Sequence, residues 1–215
     1  MEELLNKALN AFNNGDIKKS IGYYEKVLLK YPDHETASNN LAYAYFLIRE
    51  YHKAEVLILQ LINNNKKNPY LFYNLGNLYK RINKFDEAIT NYDTAIFLEP
   101  KNHNFLYNKG YVLLKQKKYN LAWKYFEQRI YTDIFSGELH NKIKNNLIIS
   151  QTIKKDSKLI IIAEQGLGDQ ILFGSIYKDL KFIKNKIKIF INSRLISIFK
   201  RSFGDFEFID KKNIN

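Results

Sequence analysis

Apolar residues in the first part of the chain recur at helical spacing, and the pattern itself recurs every 34 positions over residues 1–136. Residues 69–102 read PYLFYNLGNLYKRINKFDEAITNYDTAIFLEPKN, with Phe72, Leu75, Gly76 and Tyr79, then Ala88 and Tyr92, then Pro100. Shifted by 34, residues 35–68 give Leu41, Ala42, Tyr45 and Ala54, residues 1–34 give Leu4, Ala8, Ser20, Tyr24 and Pro32, and residues 103–136 give Leu106, Gly110, Ala122 and Phe126. Apolar residues at positions 4, 7 and 11 of the repeat make one stripe on a first helix, small residues at 8 and 20 let two helices approach, and an aromatic residue at 24 fills the gap to the next unit. Proline at 32 stops the second helix. Lys66 replaces that proline inside NNNKKNP, which predicts a loose turn, and position 7 is Lys7 or Lys109 in the outer repeats, as expected where a stack ends or meets another domain.

Beyond residue 136 the pattern changes twice. Leu139, Ile143 and Leu147 at helical spacing, then the polar QTIKKDS, predict a capping helix and linker over 137–156, with a domain boundary near 155. KLIIIA (Lys158–Ala163) is a β-branched run suited to a buried parallel strand. A helix is expected over Gln170–Ile183 with Ile171, Leu172, Ile176 and Leu180 on one face, then a strand at Ile187–Ile191, a short helix RLISIFKRSF, and a strand at Phe206–Ile209. The expected fold class is an α-solenoid of four helix pairs (1–34, 35–68, 69–102, 103–136) followed by a partial α/β, Rossmann-like βαβαβ unit over 157–215. The 34-residue pattern resembles the tetratricopeptide repeat (TPR).

Position 6 of every repeat is asparagine: Asn6, Asn40, Asn74 and Asn108. Positions 2, 5, 6, 9 and 12 face the concave side when such repeats stack, so the column offers paired donors and acceptors to an extended peptide. It resembles the asparagine ladder of the nucleocytoplasmic O-GlcNAc transferases, which grips acceptor peptide. Asparagine at this position is also ordinary repeat consensus, and both readings stand. Tyr43, Tyr73, Tyr107 and Tyr111 surround the column as an aromatic groove or as partly buried packing.

Composition narrows the rest. The formal charge is +12, but only five of 34 basic residues are arginine and the excess runs through the whole chain, which favours a lysine-rich solvated surface over a specific nucleic-acid footprint. There is no cysteine, and His34, His52, His103 and His140 form no metal-ligand spacing. No apolar run reaches membrane-span length and no secretory signal is visible, so a cytoplasmic protein is expected.

The stretch AEQGLGDQI, Ala163–Ile171, follows the first strand. It lacks the Gly-Lys-Ser/Thr of a phosphate-binding P-loop, and the dinucleotide fingerprint fails at Ile171. What remains is Gly166 and Gly168, which permit close backbone approach, and Asp169 at a helix start. Structurally, Asp169 reads as an N-cap worth about 1 kcal/mol. A repeat array ending in Trp123, Phe126, Glu127 and Arg129, then a strand and EQGLGD, resembles bacterial TPR-containing glycosyltransferases, whose C-terminal domain is related to the family 9 heptosyltransferases of GT-B fold. Gln128 stands where a second Trp is typical, and SIYKDLK lacks the usual Pro.

The resemblance implies that Asp169 is the base that deprotonates the acceptor hydroxyl, with Glu164, Gln165, Gly166, Leu167 and Gly168 forming the acceptor or phosphate loop. It implies neither metal nor cofactor. It places most donor contacts on a second Rossmann-like domain, so residues 157–215 would be an incomplete, truncated first half and the chain alone inactive. Two functions follow: an interaction module joined to the start of a glycosyltransferase domain, or a non-catalytic scaffold binding peptide in its groove. Expected partners are a peptide or protein in the groove, with nucleotide-sugar and acceptor engaged only by a complete enzyme domain; whether the chain is an enzyme stays open.

Overall fold

The computed structural model describes residues 1–132, 159–163, 166–175, 177–180 and 187–213. The chain divides into two compact units, Met1–Asn141 and Lys142–Asn215. The capping helix and linker expected over 137–156 lie outside the described residues.

The first unit is a stack of four antiparallel helix pairs: α1 (Glu2–Asn13) with α2 (Ile17–Lys30), α3 (Glu35–Leu47) with α4 (Tyr51–Asn64), α5 (Pro69–Arg81) with α6 (Phe85–Leu98), and α7 (His103–Lys115) with α8 (Tyr119–Phe126). Ser20, Ala54, Ala88 and Ala122, all at position 20, have no exposed surface. A Cβ on Gly76 would lie 2.7 Å from the Tyr92 ring, and one on Gly110 would strike the backbone at Phe126. Glycine at these two sites is therefore what lets each helix pair close.

The period of 34 extends to the chain's punctuation. Every first helix ends with position 15 in the left-handed region: Gly15 (φ 81°), Arg49 (66°), Asn83 (62°) and Lys117 (61°). The next amide in each repeat (Asp16, Glu50, Lys84, Lys118) bonds back five residues at 2.9 Å, to Ala11, Tyr45, Tyr79 and Leu113. This is the Schellman closure, which satisfies carbonyls left over at a helix end. Position 34 caps the following first helix, His34 through Nδ1 and Asn68 and Asn102 through their amide oxygens. The loose turn expected around Lys66 is not found. Asn68 N–H bonds Asn65 O at 3.3 Å, matching His34 to Tyr31 and Asn102 to Glu99 at 3.2 Å, so the cap asparagine closes the turn without proline.

Contacts between repeats are partly polar. The Tyr45 and Tyr79 hydroxyls donate to Glu25 and Glu55 at 2.6 and 2.7 Å, joining α3 to α2 and α5 to α4. Burial, then these carboxylates, push both phenols up to about 12. Exposed Lys7 on α1, paired with Glu3, fits the end-of-stack expectation, and Lys109 departs from it. It is 8% exposed, donates to Asp93 on α6 at 2.5 Å and to the Tyr125 hydroxyl at 3.2 Å, and lies over the Tyr125 ring. The fourth repeat differs from the others: α8 has eight residues where α6 has 14, and a 3-10 turn follows at Glu127–Tyr131.

The second unit holds a three-stranded parallel sheet in the order β1-β2-β3, with β1 Leu159–Ile162, β2 Ile187–Ile191 and β3 Glu207–Asp210. Leu159 pairs with Ile187, and Ile189 with Phe208. Alternate residues Ile187, Ile189 and Ile191 pack with Phe206, Phe208, and Leu195 and Phe199 of α10 (Ser193–Ser202). The first helix of this unit, α9, runs Leu167–Gly174, with a 3-10 turn at 177–180 instead of one helix to Ile183. Its buried side is only partly the expected one: Leu180 of the following turn packs against this core, and Ile176 lies outside the described residues. Ile171 and Leu172 are 54% and 67% exposed, whereas Gln170 and Gly174 are buried. Two contacts set that orientation: Gln170 Oε1 accepts the Asn192 N–H at 3.0 Å, and a Cβ on Gly174 would meet the Phe199 ring at 2.8 Å.

Candidate functional site

A groove of about 600 Å³ runs between α3 and α5. Its polar lining is four amides, Asn39 and Asn40 from α3 and Asn74 and Asn77 from α5. Tyr43 and Phe46 form the aromatic side, within a run of rings from Phe12 to Tyr43 (5.7 Å), Phe46 (6.2 Å) and Tyr51 (5.9 Å). Arg49, Lys80 and Arg81 supply its charge, Ala42, Leu47 and Ile58 its aliphatic surface, and among the described residues the lining contains no carboxylate.

The asparagine column divides into three situations. Asn6 is exposed on α1, away from this groove. Asn40 and Asn74 line it, each spending one N–H within the fold, Asn40 on the Tyr24 hydroxyl (3.2 Å) and Asn74 on Asn39 Oδ1 (3.1 Å). Asn108 is 8% exposed and fully engaged: its Nδ2 donates to the Tyr73 hydroxyl at 3.0 Å and Asn104 O at 2.9 Å, and its Oδ1 accepts from Lys80 at 2.6 Å. Tyr73 and Tyr107 are half-buried packing residues, 4.9 Å from Phe105 and 5.4 Å from Phe126. Burial holds both phenols above their usual range.

Sequence reasoning passed over Asn39, Asn77, Phe46, Lys80, Arg49 and Arg81. The first four occupy positions 5, 9, 12 and 12 of their repeats, all on the inward side already named, so the signal was present in the register. Arg49 sits at position 15, outside those inward positions, in the left-handed turn after α3.

In the second unit, Gly166 and Gly168 are exposed at the start of α9, and Asp169 is its third residue. A Cβ on Gly168 would meet nothing within 4 Å, so packing does not demand glycine there. Glu164, Gln165 and the Asp169 side chain lie outside the described residues, so the loop and base roles stay expectations. Among the described residues no cluster of acidic, cysteine or histidine side chains has metal-site geometry, and no helix is long and apolar enough to cross a membrane.

A stack of helix pairs enclosing a groove of amides and aromatics defines a repeat-built protein-interaction module. Comparison with known families bears on the kind of repeat. Tetratricopeptide-repeat profiles match residues 5–68, 57–90, 76–117 and 103–133, and this part of the chain is an array of tetratricopeptide repeats. The chain is 27% identical over 122 residues to human tetratricopeptide repeat protein 21B, which is 57% of this chain and 9% of that protein. It is 25% identical over 163 residues to a TPR repeat-containing protein of Methanocaldococcus jannaschii, covering 73% and 24% of the two chains. It thus spans less than a quarter of either relative's length. Among solved structures, a crystal structure of MamA aligns with TM-score 0.56 and 21% identity over 68% of this chain and 81% of that one. MamA from Desulfovibrio magneticus RS-1 aligns at 0.56 and 20%, over 61% and 77%. At these identities the likeness is one of fold.

Proposed function

We propose that the solenoid holds an extended segment of a partner protein in the groove between α3 and α5. The observation that carries this is the row of four side-chain amides beside exposed aromatic surface, since an extended backbone presents donors and acceptors that such amides match. The test replaces Asn39 and Asn74 with Ala together. These two are bonded to each other, so removing both leaves neither amide without the other and should change stability by about 1 kcal/mol or less. Capture of peptides from an array of short random sequences should fall sharply in the double variant while the helical melting curve stays nearly unchanged. Equal capture by both proteins would refute the groove.

Sugar transfer by the protein to which residues 157–215 belong is a second reading. It is favoured by the glycine loop after β1 of a parallel sheet, where Gly168 has open space around it. In this reading Asp169 takes the acceptor proton and a second Rossmann-like domain holds most of the donor, so residues 157–215 by themselves bind no nucleotide-sugar tightly. Calorimetry against ADP-, UDP- and GDP-sugars checks this. A micromolar dissociation constant lost on Asp169→Ala would show donor binding by these residues themselves.

A further inference from the structure

Lys80 is the one cation of this groove drawn into the protein. Its side chain is half-buried, its Nζ donates to Asn108 Oδ1 at 2.6 Å, and it lies 5.7 Å from the centre of the Tyr111 ring. Among the described residues no Asp or Glu comes within ion-pair distance of it. A neutral amide and a ring face satisfy an ammonium only in part, and a cation held out of water without a counter-charge is costly. Burial accordingly pushes Lys80 down to about 8. Lys109, on the neighbouring helix, shows the alternative: burial opposes its charge too, but its hydrogen bonds to Asp93 and Tyr125 outweigh that and hold it above the usual lysine range.

Two further cations reinforce the site. Arg49 and Arg81 line the same groove and are exposed. Arg49 reaches it from a left-handed backbone, a conformation that costs an ordinary side chain about 1–2 kcal/mol and glycine almost nothing. Three positive groups, one of them half-buried, face a groove to which the described residues contribute no negative charge.

We infer that the groove selects an acidic peptide, with the backbone of an extended segment on the Asn40 and Asn74 amides and an aspartate or glutamate side chain on Lys80, flanked by Arg49 and Arg81. This rests on the peptide-binding reading above and adds the chemistry of the bound residue. Lys80 supplies the point charge, Asn108 fixes its position, and the two arginines widen the attraction.

The test uses the full chain and an array of random peptides with blocked ends, in two matched sets. One set contains Asp and Glu; in the other they are replaced by Asn and Gln. The acidic set should be captured about tenfold better, the worth of one favourable charge contact of about 1.4 kcal/mol. That preference should be largely lost in Lys80→Met, leaving only what Arg49 and Arg81 supply, and persist in Lys80→Arg and in Lys18→Met, an exposed lysine outside the groove. Equal capture of both sets that nonetheless falls in the Asn39→Ala/Asn74→Ala variant would overturn the acid selection and leave the groove standing. No capture of either set would overturn both. A third set, neutral but with free C-termini, separates the sources of carboxylate: capture matching the acidic set would assign Lys80 to a chain end and overturn the side-chain assignment. Should Lys80→Met melt early, the Lys80 amine followed by NMR decides: its titration moves upward on adding an acidic peptide if the inference holds, and stays in place if it does not.

Discussion

Two lysines, 29 positions apart and both drawn out of water, experience opposite fields. Lys109 lies among α6, α7 and α8 with Asp93 and the Tyr125 hydroxyl as partners, and the fold stabilises its charge. Lys80 lies at the groove with an amide and a ring, and the fold opposes its charge. One region is internally complete. The other has no counter-charge among the described residues, and that is the place the inferred acidic side chain takes.

The largest effect should come from making the first region resemble the second. Asp93→Ala leaves the Lys109 ammonium buried beside Tyr125 with no carboxylate, and should cost about 2–3 kcal/mol in urea unfolding. The Lys109 titration should then fall toward that of Lys80. An unchanged midpoint would mean that Asp93, whose side chain is 52% exposed, contributes little and that Tyr125 alone holds the charge.

A smaller effect separates the two lysines by pH. Lys80 titrates at about 8 in the folded chain and at 10.5 unfolded, so between those values the unfolded state binds more protons and stability rises with pH. Lys109 is raised, so its contribution is fully present below 10.5 and is lost only as pH climbs through its higher folded value. Between about pH 7.5 and pH 10, wild type should gain about 1–3 kcal/mol relative to Lys80→Met. A flat difference across that window would place Lys80 in water.

How much of this was legible follows from what each feature depends on. The helix pairs were readable because contacts within a repeat need small residues at fixed spacing, as at Ala8, Gly76 and Ala88, and three parallel strands were readable from runs such as IKIFI. The extent of α9 was not. Apolar Ile171 and Leu172 suggest a buried face, but the Gln170 bond to Asn192 and the close fit of Gly174 on Phe199 turn them outward. Lys80 was equally silent, because a lysine at position 12 reads as solvated surface until the next repeat places Asn108 and Tyr111 against it. The left-handed turns show in Gly15 and Asn83 and are hidden in Arg49 and Lys117.

Those turns supply the smallest prediction. Arg49→Gly and Lys117→Gly relieve the same backbone conformation, so each should raise stability by up to about 1 kcal/mol, less the extra chain entropy of glycine. Arg49→Gly should also weaken capture of acidic peptides, and Lys117→Gly, outside the groove, should not. Matching binding losses in both would trace the effect to the helix ends and away from the groove cation.

The most direct measurement of the central claim is a titration of the isotope-labelled chain with an array-selected acidic peptide, followed through side-chain NMR signals. The account predicts that the Asn39, Asn40, Asn74 and Asn77 amides shift together and that Lys80 moves up from about 8. Shifts concentrated elsewhere on the solenoid, with these four amides and Lys80 unmoved, would contradict it.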